Sequence, residues 1–137
     1  SLSFVSTVVL TNNSNDLANK NIISLQVADS FLELSEAELR NYMTSDTMEE
    51  SLISYIHQAI QTKVDVFNAK NKSVDISLYF HCNAICNDLT NNEHRLIDKV
   101  YSPNEIEVSA VVKYKSYNVN NETTDHTVEL SRLVVLE

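Results

Sequence analysis

Hydrophobic and polar positions change period along this chain, and the changes mark its elements. "FVSTVVLT" at 4–11 is a short β-rich run, and "NIISLQVA" at 21–28 puts Ile23, Leu25 and Val27 on one face, so both predict strands. Ser35 stands three residues before Glu38, the spacing of a capping box, which predicts a short helix through about Met43. Asp46 and Thr47 followed by Glu49 and Glu50 predict the start of a longer helix, since acidic side chains suit the positive end of the helix dipole. From Met48 through Leu52, Ile56, Ile60, Val64 and Phe67, apolar residues recur every three or four positions and carry that helix to about Ala69.

Beyond Asn71 the pattern alternates. In 73–87, Val74, Ile76, Leu78, Phe80, Cys82, Ala84 and Cys86 hold the even positions and mostly polar residues the odd ones. The same alternation returns at 105–117, and in 126–136 Val128, Leu130, Val134 and Leu136 are in phase. "HRLIDKVY" at 94–101 reads as a weaker strand that ends near Pro103, the only proline.

These elements predict a single α+β domain over residues 1–137, either whole or a piece of a longer protein. Its expected form is a curved antiparallel sheet of about four to six strands, packed on one long helix plus a short helix. Fifteen extended residues would span about 50 Å, whereas a domain of this size has a radius of gyration near ~14 Å, so the long strands are expected to bend or bulge. Such a shape is similar to cystatin-like and NTF2-like folds in architecture, with no shared motif.

Composition narrows the function. A net charge of −9 repels a phosphate backbone and an anionic membrane alike, and no apolar run approaches the roughly 18 residues of a membrane span. Neither nucleic acid nor membrane insertion is therefore expected. Seven acids, Asp29, Glu33, Glu36, Glu38, Asp46, Glu49 and Glu50, lie in one segment opposed only by Arg40. They read as acids in the first turns of two helices or as a docking surface for a basic partner. Glycine is absent, which removes the P-loop, the dinucleotide fingerprint and the nucleophile elbow. Asn-rich breaks at 11–16, 90–94 and 118–123 read as turns instead, because asparagine tolerates left-handed backbone.

The stretch that looks most like chemistry is "YFHCNAIC" at 79–86. On a strand, Cys82 and Cys86 would share a face about 13 Å apart, too far for a disulfide or a common zinc ion, while His81 projects from the other face. Both read as core thiols, and no metal or cofactor is expected. His57, His81, His94 and His126 have no second ligand at a recognisable spacing. Were a pocket to lie between helix and sheet, Tyr55, His57 and His81 would be its polar groups. Asn12, Asn71 and Asn121 begin N-x-S/T sequons, at about the number that chance supplies.

The outward sheet face holds Ile85, Val111, Leu133 and Val135, more apolar than a solvated face requires. The leading expectation is accordingly a non-enzymatic interaction or assembly domain that self-associates, as in a homodimer, or docks to a protein partner through that face. The alternatives are an NTF2-like small-ligand-binding or enzymatic domain, and an acidic, immunity-type antagonist of a basic protein. The compartment stays open.

Overall fold

Residues 17–44, 52–82, 100–117 and 120–136 are described in a computed structural model. The first helix, α1 (Leu17–Thr44), covers 28 residues and is the longest element. Its buried positions, Ile23, Val27, Phe31, Ser35, Leu39 and Tyr42, recur at three- and four-residue steps. That period overturns the strand expected at 21–28. Leu25, which would share a strand face with Ile23 and Val27, is 37% exposed, while the intervening Ser24 is fully buried. Three apolar residues at alternate positions are outweighed by a helical stripe sustained over the whole element.

Ser35 does not open a helix either. It lies inside α1, where its Oγ donates to the Phe31 carbonyl at 2.7 Å, the back-bond of a mid-helix serine. The expected short helix at 35–43 is thus the C-terminal part of the long one.

The second helical stretch follows the expected stripe. It comprises α2 (Leu52–Ile56), a π-helical turn (His57–Gln61) and α3 (Thr62–Lys70), with Ile56, Ile60, Val64 and Phe67 buried. A threonine back-bond accompanies the π turn. Thr62 Oγ1 donates to the Gln58 carbonyl at 2.6 Å, the acceptor its own N–H would use in an α-helix. That N–H reaches the His57 carbonyl instead.

Among the described residues three antiparallel strands follow, β1 (Val74–His81), β2 (Glu105–Tyr117) and β3 (Thr123–Val135), in the order β1-β2-β3. The described sheet thus has three strands where four to six were expected. The run at 4–11 and residues 94–99 of the weak strand lie outside the described residues; Val100 and Tyr101 of that strand are not extended into the sheet. The β2–β3 register runs from Glu105↔Val135 to Tyr117↔Thr123 with no inserted residue, so no bulge interrupts it. Asn121 lies between these strands at φ 60°, supplying the left-handed backbone that the absent glycine would otherwise give.

Even-numbered residues of the sheet face the helices. Ile76, Phe80, Val108, Ala110, Val112 and Val134 are buried there with Val27, Phe31, Ile60 and Phe67 in one core. Burying each large apolar side chain contributes about 1.5–3 kcal/mol. α1 packs chiefly on β2 and β3, and α3 on β1. Phe31 and Phe67 join the two helices edge to face, with ring centroids 5.4 Å apart. At the edge of the sheet, Asn68 acts as a one-residue strand partner. Its amide receives Ile76 N–H at 2.9 Å and donates to the Ile76 carbonyl at 2.8 Å.

Candidate functional site

The acids of the Asp29–Glu50 segment that are described are not helix-start acids, because α1 begins well before them. Arg132, on the helix-facing side of β3, reaches Asp29 at 3.1 Å and Glu36 at 3.5 Å. Glu36 also holds Arg40 at 3.2 Å, and Glu38 accepts from the Tyr55 hydroxyl at 2.8 Å with Lys63 3.8 Å away. The acidic segment therefore fastens α1 to β3 and to the second helix. Asp46, Glu49 and Glu50 lie outside the described residues.

Sequence-predicted site residues are dispersed. Tyr55 sits between helices against Tyr42, His57 is exposed on the π turn, and His81 ends β1. On the outward sheet face Leu133 is 49% exposed opposite Glu107, and Val135 follows it opposite Glu105. Val111 is buried opposite Glu129, separated from Leu133 by the hydrogen-bonded Ser109 and Ser131. Ile85 lies outside the described residues.

The expectation of free core thiols is corrected at Cys82, which is disulfide-bonded. β1 ends at His81, so Cys82 lies just past the strand and off its alternation. Cys86, the other cysteine of the sequence, lies outside the described residues. Among the described residues no group of His, Cys, Asp and Glu could hold a metal ion, and no described helix is long and apolar enough to cross a membrane.

A site emerges where the sequence had drawn no attention, at the end of the sheet where β1 starts, β2 ends and β3 starts, beside the first turns of α1. There a cleft of about 510 Å³ is lined by Lys20, Lys72, Lys113 and Lys115, with Asp75 and Asp125, and with Tyr114, Tyr117 and His126. Two structural ties shape it. Tyr114 donates from its hydroxyl to Asn21 Oδ1 at 3.1 Å, and Lys20 Nζ donates to the Lys115 carbonyl at 2.9 Å, so the helix start is pinned to β2. His126 stacks on Tyr114 with centroids 5.0 Å apart and shares a 2.7 Å hydrogen bond between its Nε2 and Ser116 Oγ.

The lysines have little internal compensation. Asp75 is the cross-strand neighbour of Lys113, and Asp125 of Lys115, yet neither pair closes to ion-pair distance among the described residues. Arg40, Lys63 and Arg132, by contrast, are all paired. Strand alternation hid this arrangement, because Lys113 and Lys115 look like routine solvent-facing positions until the fold brings Lys72 and the start of α1 to the same end of the sheet. Comparison with protein-family models, curated proteins and solved structures returned no match to this chain.

Proposed function

We propose that this chain is a binding domain for a small anionic ligand, held in the cleft at the end of the sheet. The observation that carries this reading is the convergence of four lysines on one cleft in a chain whose net charge is −9. Four lysines against two aspartates, Asp75 and Asp125, leave the lining with an excess of positive charge, and an anion placed among the lysines offsets it. The acidic remainder of the molecule discourages long polyanions such as nucleic acid, which extend beyond the cleft, and so favours compact ligands.

Isothermal titration calorimetry with inorganic phosphate tests this. Binding is expected at millimolar concentration or tighter, weakened about three- to tenfold by Lys113→Ala or Lys115→Ala and weakened further as salt rises. Lys63→Ala, a change on α3 where the side chain lies 3.8 Å from Glu38, should leave affinity unaltered. Equal weakening by all three substitutions, or no heat of binding at all, would reject the assignment.

A further inference from the structure

The cleft has aromatic surface as well as charge, and the two are arranged together. Tyr117 closes β2 at the cleft with 49% of its surface exposed, which leaves part of the residue open to a ligand. The Lys20 ammonium lies over that ring, 5.4 Å from its centre, so a cation and an aromatic surface are presented together. Deeper in, the stacked pair of Tyr114 and His126 supplies a second flat surface. An inorganic anion would satisfy the lysines and leave Tyr117 as it is.

Resting on the anion-binding reading above, we propose that the ligand is an anion carrying a planar aromatic ring, an aryl phosphate or aryl carboxylate, whose ring packs on Tyr117 while its charged group meets the lysines. The volume suits it. About 510 Å³ lies within the range of small-molecule sites and exceeds what a bare phosphate fills. Aspartates at the same rim fit a ligand with one charged end better than one charged all round. Asp75 and Asp125 would repel a second anionic group placed far from the lysines.

Three probes separate the claims: inorganic phosphate, n-butyl phosphate and phenyl phosphate, each titrated calorimetrically into the full chain. Phenyl phosphate should bind about three- to tenfold more tightly than n-butyl phosphate, the gain typical of one ring–ring contact. Tyr117→Leu should erase that preference and leave inorganic phosphate affinity unchanged, whereas Tyr117→Phe should retain it. Equal affinity for the phenyl and butyl esters, or a preference that survives Tyr117→Leu, overturns the aromatic assignment while the anion site stands. Failure of all three probes overturns both.

Discussion

Tyr101 shows how one residue can carry a pH response without belonging to the proposed site. It precedes β2 and folds back on it, its hydroxyl donating to Glu107 Oε1 at 3.4 Å, and Glu107 is only 5% exposed although it points away from the core. Burial, then the negative charge and hydrogen bond of Glu107 and the charge of Glu105, push the phenol up to about 12 from an ordinary value of 10.0. A folded-state value above the unfolded one means that the folded chain holds this proton longer. The stabilisation is complete below pH ~10 and is lost as pH rises towards ~12. Denaturant midpoints measured across that window should fall, and Tyr101→Phe should flatten the fall; an unchanged slope in the variant would refute it. At this scale the sequence was partly legible. The hairpin asparagine at 121 and the buried even positions of β2 follow from residue type alone. Cys82 did not, because its environment depends on where β1 stops. Asn71 is likewise decided by context, since its side chain is buried and donates to the Phe67 carbonyl, whatever its sequon suggests.

Elements are tied by a few polar clamps laid over the apolar core. Arg132 occupies a core-facing position of β3, opposite Val108, and escapes burial by extending to Asp29 and Glu36 at the surface of α1. The apolar phase of β3 skips that position, a gap visible in the sequence whose partners were not. Partly exposed ion pairs of this kind contribute modestly, so Arg132→Ala should destabilise the chain by about 0.5–1.5 kcal/mol, with the loss shrinking in high salt. Urea unfolding of the single and double variants with Glu36→Ala would measure it, and strictly additive losses would show that the pair is uncoupled. The strands were the easiest elements to read, β2 to the residue, because a period of two sustained over many residues has few competitors. The helices were harder. Ile23, Leu25 and Val27 imitate a strand within a short window, and only the burial of Ser24, Ala28 and Ser35 shows that small and polar residues complete the helical stripe.

For the molecule as a whole, charge is divided between a lysine-lined cleft and an acidic remainder whose carboxylates help to join α1 to its neighbours. No sequence pattern could display this, since Lys20, Lys72 and the pair Lys113 and Lys115 are far apart along the chain and come to one cleft only in the folded molecule. The meander has a further consequence, for the order of assembly. Residues 118–122 join β2 to β3, whereas residues 82–104 separate β1 from β2. Closing the longer connection costs about 1.4 kcal/mol more in chain entropy. The β2–β3 hairpin should therefore be established in the folding transition state before β1 joins it, giving Val128→Ala a high φ-value and Ile76→Val a low one; the reverse ranking would place the nucleus on the other side of the sheet. A chain that folds in this sequence leaves the β1 side of β2 unpaired for the longest time. That edge, rather than either edge of the finished sheet, is where a misfolding encounter between two copies would begin.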